Sequence, residues 1–404
     1  MAHNLRTSYK DFMDWYWGQW RIRLKTSHRR VENDGLCTFG LNSHSYNWST
    51  YYQHNLYFIE SYENKEFIDE IRTRTGCSIQ FTPLMERIVT TLKISNWVDI
   101  ENEYYQLLID TNTYPVTELN NELDNIRNKL IEYLTTLSKP NINLQFKNLI
   151  QAPILKDDIA ITSLTTWKDF VNERLKYDQR KWNHLLHKYD IPLFDHSCDY
   201  DYAQRVGLPQ KAEYSMDEID IIPLNTSKSA LIPNSIMLLN FNYTTIADDY
   251  ISKVGDFPIV HIHGELSNPG SVIFGYGDEM DDGYEALKKK NDNEYLKHMK
   301  TPRYLETDNY RRVLTFIEAS PYQVFIMGHS CGNSDRTLLN RIFEHPNCVS
   351  IKPFYHKEKD NYLDIVQNIS RNFTDAHKMR DRVVNKMYCQ PLPQISIEQE
   401  AENV

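Results

Sequence analysis

Between residues 234 and 354 the chain alternates short apolar runs with stretches of helical period. No other feature narrows the fold as far. The apolar runs are Ile236–Phe241, Pro258–Ile262, Val272–Phe274, Tyr322–Met327 and Val349–Phe354. Helical patterns occupy Thr244–Ser252, Asp308–Ala319 and Asp335–Glu344. Strand–helix alternation predicts a parallel sheet with helices on its faces. Ligands of such sheets bind beyond the carboxyl ends of the strands. Four of those ends are loaded with polar residues and glycine: Asn240-Phe241-Asn242-Tyr243-Thr244, His261-Ile262-His263-Gly264, Gly275-Tyr276-Gly277-Asp278 and Gly328-His329-Ser330-Cys331-Gly332. With only 13 glycines in 404 residues, this clustering predicts one convergent site.

Upstream the period is helical. Leu119, Leu123, Ile126, Leu130, Leu134 and Leu137 form a stripe with steps of three and four. Trp97, Ile100, Tyr104, Leu107 and Leu108 form a second, and Trp167, Phe170, Val171, Leu175, Trp182, Leu185 and Leu186 a third. Each reads as the core-facing side of a helix. A Pro- and Asp-rich stretch without period follows. These textures divide the chain into an N-terminal helix with the start of the α/β domain (1–64), a helical insertion (65–190), a long linking segment (191–233) and a Rossmann-like domain with a helical tail (234–404). The stripe Leu5, Tyr9, Phe12, Met13 and Tyr16 predicts a first helix packed back on the parallel sheet.

Composition excludes several classes. With 45 Lys+Arg against 55 Asp+Glu the formal charge is −10, so no net positive field draws nucleic acid. The six cysteines make no C-x-x-C, which argues against a thiolate zinc module or a redox pair. No basic stretch followed by an apolar run opens the chain, and no apolar run approaches the ~20 residues that span a bilayer. The expectation is a cytoplasmic protein without a membrane partner.

The motifs admit competing chemistries. Gly328-His329-Ser330-Cys331-Gly332 fits G-x-S-x-G, the nucleophile elbow of serine hydrolases. That role needs an acid and a histidine downstream, and Asp360 with His377 is the available pair. The same glycine turn, feeding a helix through Asn333-Ser334-Asp335, also suits a phosphate or ribose, and Ser334 or Asp335 alone suits an N-cap. His261 and His263 alternate along a strand, a spacing that can hold a metal with Asp278 or Asp335. His263 beside Gly264 reads better as a single base with room for a ligand, so no metal is expected. Asn240 and Asn242 share one face of a strand exit, where an amide orients water, bonds a sugar hydroxyl or forms a turn.

The order N-F-N-Y-T, H-I-H-G and G-H-S-C-G-N-S-D resembles the AbiH family of bacterial abortive-infection proteins. His3-Asn4-Leu5-Arg6-Thr7-Ser8-Tyr9 and Asn96-Trp97-Val98-Asp99-Ile100-Glu101 carry the same resemblance. It implies defence against phage and an order of motifs similar to sirtuins. On that likeness Asn242 and His263 are the catalytic pair. Asn240, Gly264, Gly328, Ser330, Gly332, Ser334 and Asp335 then surround a nucleotide, with NAD as the substrate. Thr244 and His329 depart from the sirtuin pattern, and the sirtuin zinc cysteines are missing, which points to NAD hydrolysis rather than deacylation. AbiH-like chains usually open with an apolar strand and a G-N-G-F-D loop before a segment like His3–Tyr9. This sequence begins inside that segment, so the resemblance implies a first strand and phosphate loop absent from it. The alternatives are a non-catalytic sensor acting through a phage-derived trigger or a partner protein, and a serine hydrolase on Ser330. Self-association is a further expectation.

Overall fold

The computed structural model describes residues 7–42, 46–56, 64–95, 98–110, 114–150, 152, 154–160, 230–231, 235–250 and 258–394. The helical stripe from Trp167 to Leu186 therefore lies outside the described residues, as does all of the linking segment except Ala230–Leu231. The chain forms two compact units. One comprises Leu5–Ser138 and Leu266–Arg303, the other Met1–Asn4, Lys139–Glu265 and Tyr304–Val404.

The first unit is built on helix α1 (Tyr9–Thr26) and a three-stranded antiparallel sheet of β1 (Val31–Asn33), β2 (Cys37–Leu41) and β3 (Cys77–Phe81). Ser8 and Asp11 start α1 with a reciprocal capping box, in which Ser8 Oγ accepts from Asp11 N and Asp11 Oδ2 from Ser8 N, each at 3.2 Å. Phe12, Met13, Tyr16, Trp17, Trp20 and Leu24 are buried at helical spacing. The Trp20 ring lies 4.4 Å from that of Phe39 on β2. The stripe expected to cover the parallel sheet thus closes on an antiparallel one. Three strands of three to five residues gave no signal strong enough to foresee it. Helices α2 (Trp48–Asn55), α3 (Asn64–Thr73), α4 (Pro83–Ser95), α5 (Ile100–Ile109) and α6 (Val116–Thr136) complete this part. The α6 stripe is buried at Leu119, Leu123, Ile126, Leu130 and Leu134. In α5, Ile100, Tyr104 and Leu108 are buried.

The run Val272–Phe274 is buried as expected but belongs to this unit and forms no ladder strand. Its neighbours find other partners. Gly275 N donates to Glu101 Oε1 at 2.9 Å, Tyr276 N to His298 O at 3.0 Å, and Lys300 N to Tyr276 O at 2.8 Å. Glu101 Oε2 pairs with the fully buried Lys300 Nζ at 3.1 Å. Two buried opposite charges and a satisfied backbone replace the ladder.

His298 sits in the same place, edge-on to Tyr104 at 5.8 Å, with its Nε2 3.5 Å from Asp124 Oδ2 and no closer hydrogen-bond partner on either ring nitrogen. Burial pushes its imidazole down to about 4, against the pull of Asp124. The folded ring refuses a proton that the unfolded chain accepts from about 6.5 downward. Stability is therefore complete above that value and is lost as pH falls toward 4. Thermal melts from pH 7 to 4 should show this loss, and His298→Phe should reduce it. Unchanged acid sensitivity in that variant would place the cause elsewhere.

The second unit carries the parallel strands. β6 (Leu238–Asn240) pairs with β7 (Ile259–His261), and β8 (Tyr322–Met327) with β9 (Cys348–Phe354), both parallel. β4 (Ile154–Leu155) and β5 (Ala230–Leu231) make a short antiparallel pair. The architecture is mixed α/β with small parallel sheets, and among the described residues these pairs do not join into one continuous sheet. Helices α7 (Leu144–Ile150), α8 (Asn309–Ala319), α9 (Arg336–Phe343), α10 (Tyr362–Arg371) and α11 (Ala376–Arg382) surround them. α8 protects β7: Asn309 Nδ2 donates to His261 O at 2.9 Å and Arg312 Nη2 to Ile259 O at 3.1 Å. Among the described residues no helix is long and apolar enough to cross a membrane.

Candidate functional site

Three of the four loaded strand exits fall in the second unit: those of β6, β7 and β8. The fourth, at Gly275–Asp278, lies in the first unit, where Asp278 Oδ1 accepts from Met280 N at 2.9 Å. At the centre is the buried carboxylate of Asp335. Its Oδ1 lies 3.0 Å from His263 Nε2 and its Oδ2 3.5 Å from His329 Nε2. Tyr304 Oη stands 3.1 Å from the same His263 nitrogen, with its ring parallel to the imidazole within 2°. Tyr310 on α8 stacks behind Tyr304 at 5.8 Å and 4°.

The β7 exit explains the position of His263. Ile262 N still donates to Asn240 O, but the chain turns immediately afterwards, with Gly264 at φ +76° and its N–H returning to His261 O at 3.0 Å. Strict alternation therefore lapses, and the two histidines of H-x-H go to different partners. His261 Nδ1 meets Asn240 Nδ2 at 2.9 Å, and its Nε2 meets Asp248 Oδ1 at 3.0 Å. The amide can only donate, so the His261 proton is on Nε2. Among the described residues no group of three or more His, Cys, Asp or Glu is placed to hold a metal ion.

The β6 exit presents aromatic rings to the histidines. Phe241 lies 5.5 Å from the His263 ring and 4.1 Å from that of His329, and Tyr243 lies 6.3 Å from His263. The asparagines serve the turn. Asn240 Oδ1 accepts from Asn242 N at 3.0 Å and from Asn242 Nδ2 at 3.3 Å, and Asn240 Nδ2 donates to Thr244 O at 3.0 Å. Asn242 is exposed, with its amide on Asn240 rather than on His263.

The β8 exit is a tight turn with Gly328 at φ +85° and Cys331 at +55°. A Cβ at residue 328 would meet only Leu392 Cδ2, at 3.8 Å, so conformation rather than space calls for glycine there. From α10, Asn368 Nδ2 donates to Ser330 O at 2.8 Å, and Asn372 Nδ2, just past the helix, to Cys331 O at 2.9 Å. Ser330 is exposed, while Ser334 is buried beside Asp335 in the single helical turn that Gly332 opens. Asp360 pairs with Lys386 at 2.5 Å, and His377 lies 3.0 Å from Arg380 on α11. The structure does not assemble these two with Ser330.

His329 Nδ1 accepts from Cys331 N at 3.0 Å. Burial opposes a charge on this ring, but Asp335 and the Cys331 thiol outweigh it and lift the imidazole to about 9. Protonating Nδ1 would cost the Cys331 N–H its acceptor, whereas the Nε2–H toward Asp335 is common to both forms. The charged ring is favoured in the fold, so this contribution to stability is complete below about 6.5 and is lost as pH rises through 9. An alkaline melting step that disappears in His329→Gln would confirm the assignment, and its persistence would refute it.

His263 and Asp335 were legible in the sequence. The sequence marks His329 as the second residue of G-x-S-x-G and as a departure from the sirtuin loop, and neither reading foresees its contact with Asp335. Tyr304 stands 41 positions beyond His263, outside every motif.

The second unit is thus a mixed α/β body with a buried His263–Asp335 pair and a half-buried His329 at parallel strand exits. The family model described as bacteriophage abortive infection AbiH matches residues 1–356, and the chain belongs to that family. No curated protein and no solved structure matches it.

Proposed function

We propose that this chain is an antiphage abortive-infection protein whose second unit binds NAD in a Rossmann-like, sirtuin-like pocket and hydrolyses it. The observation that supports the reading is the buried His263–Asp335 pair at the exits of two parallel strands, where α/β proteins place their ligands. Hydrolysis of NAD breaks the bond between nicotinamide and ribose C1, forms a bond from water oxygen to that carbon and releases one proton. Positive charge develops on the sugar as nicotinamide leaves. Asp335 holds the His263 imidazole, which accepts the water proton. Gly264 admits the sugar close to the backbone, and Gly328, Ser330, Gly332 and Ser334 meet the ribose and phosphate side. Asn240 maintains the β6 turn, and Asn242 meets the water or sugar at the exposed rim.

The test is incubation of the purified full chain with NAD, with nicotinamide and ADP-ribose separated by chromatography. Turnover is expected, unaffected by a chelator and reduced about a hundredfold or more in His263→Ala. Neither turnover nor calorimetric binding would sink the reading. Binding without turnover would make the protein a sensor.

A further inference from the structure

The two parallel pairs of the second unit are covered on one side and open on the other. Beyond β7 lies α8, whose Asn309 and Arg312 side chains donate to His261 O and Ile259 O. Beyond β9, Val384 N donates to Ile351 O and Leu392 N to Tyr355 O, each at 2.9 Å. In a parallel strand the N–H and C=O of one residue point to the same side, and those of the next residue to the other. Leu238 N donates to Pro258 O, and Asn240 O accepts from Ile262 N, so these two residues face β7 and Leu239 faces away from it. Tyr322 N donates to Asn347 O at 2.8 Å, so by the same alternation Gln323, Phe325 and Met327 face away from β9. Among the described residues nothing pairs with the main chain of Leu239, Gln323, Phe325 or Met327. The exposure agrees. β9 is buried at every position but Val349, whereas β8, no less apolar, is buried only at Ile326. An inner strand of a parallel sheet is buried on both faces. β8 has the sequence of an inner strand and the exposure of an edge.

The open edges belong to strands that end at one place. Phe241, the first residue past β6, and His329, two past β8, have rings 4.1 Å apart, yet the two strands share no hydrogen bond. Neighbouring strands lie about 4.8 Å apart, so strands whose terminal side chains meet while their main chains do not are spaced for one more between them. We propose that the space between β6 and β8 is a docking site for a single extended segment of another polypeptide, which runs parallel to both strands and joins the two pairs into one sheet. The chemistry of the occupant follows from the edges. Its successive residues present main-chain N–H and C=O to β6 and β8 in turn, so proline is excluded. As the inner strand it is covered on both faces, so it is an uninterrupted apolar run rich in Val, Ile and Leu rather than an alternating one. Its length is about that of β8, six residues. Recognition is by main-chain hydrogen bonds, as in other cases of strand addition. A second copy pairing β8 with β8 does not suit this place, because it would bring a whole sheet to where β6 already stands. The inference goes beyond the NAD reading and does not depend on it.

The probe is a fluorescent synthetic peptide, Val-Ile-Val-Ile-Val between lysine pairs, whose anisotropy is read against the full chain. Two further peptides carry N-methyl groups, one on its valines and the other on its isoleucines. A strand held between two edges uses every N–H, so both methylated peptides are expected to bind about tenfold or more weakly than the parent. Weakening in only one of them would mean addition to a single edge. Equal binding of all three would mean apolar contact alone. Either result overturns the proposal, as does failure of the parent peptide to bind. Phe325→Pro removes an N–H from the open edge and none from the β8–β9 ladder, a position where a strand tolerates proline. Peptide binding should fall about tenfold in this variant while its melting temperature is held. A folded variant that binds like the wild type would overturn the proposal. The methylated peptides are tested on the wild type, so their result stands if the variant does not fold. Light scattering reads the remaining occupant: a wild-type dimer that becomes a monomer in Phe325→Pro would show a second copy on β8 and refute the single-strand site.

Discussion

Gly275→Ala is expected to leave the first unit unable to reach its native packing. A Cβ built at this position would lie 1.9 Å from the carbonyl oxygen of His298 and 2.8 Å from its carbon. The obstacle is backbone, so no side chain can swing away. Nor can the backbone retreat cheaply. His298 O accepts from Tyr276 N, Tyr276 O accepts from Lys300 N, and Gly275 N is tied to Glu101. Shifting the segment would also pull Lys300 off Glu101, leaving a buried charge unpaired. Overpacking costs about 1–3 kcal/mol where the core can adjust, and a clash with pinned backbone belongs beyond the upper end. Soluble yield and thermal melting would register it. Gly270→Ala is the control, because its nearest atom is the flexible Asn268 Oδ1 at 3.6 Å. A Gly275→Ala protein melting within about 2 °C of wild type would disprove the argument.

That glycine also shows where the sequence is legible and where it is not. The long stripe of α6 could be read because five apolar residues repeat over a helix of 21 residues and all five are buried. The run Val272–Phe274 is equally apolar, but three residues carry no period. The alternation of short apolar runs with helical patterns assigns it to the parallel sheet. What placed it in the other unit is a carboxylate at Glu101 and a carbonyl at His298, far away in the chain, and no local pattern reports such partners. The first helix shows the same division. Its stripe names Phe12, Met13 and Tyr16, which are buried, but not Trp17, Trp20 or Leu24, and its partner surface could not be read, because β1–β3 are too short to announce a sheet.

The site divides along similar lines. Strand-end position identified His263 and Asp335, since glycine and polar residues at parallel strand exits have few other reasons to cluster. Alternation then misdirected the finer assignments. His261 and His263 were placed on one face, but the turn at Gly264 sends them to different carboxylates. Asn240 and Asn242 do share a face, and that face makes the turn, leaving Phe241 and Tyr243 toward His263. A two-residue period holds only while the chain stays extended. Strand exits are where it stops.

Asp335→Asn should abolish the proposed NAD cleavage almost as completely as removing His263, while preserving shape. Asparagine offers one acceptor and one donor where aspartate offers two acceptors. The two histidines must then divide them unequally. His329 is committed, because its Nε2–H faces the carboxylate in both the neutral and the charged form of the ring. The asparagine carbonyl therefore turns to His329, and its NH₂ faces His263 across what was a 3.0 Å pair. His263 must meet that donor with a bare Nε2, which moves its own proton to Nδ1. The nitrogen that should accept a proton from water then already holds one. In a Ser-His-Asp protease the corresponding change of aspartate to asparagine produces the wrong tautomer and lowers kcat about 10⁴-fold, and a loss of about 10³–10⁴ is expected here. NMR should report the His263 proton on Nδ1 in this variant, and the alkaline melting step of His329 should vanish with the carboxylate that lifts its imidazole. Retention of the Nε2–H tautomer together with wild-type turnover would show that Asp335 does not direct His263 and that the buried pair is a packing feature only.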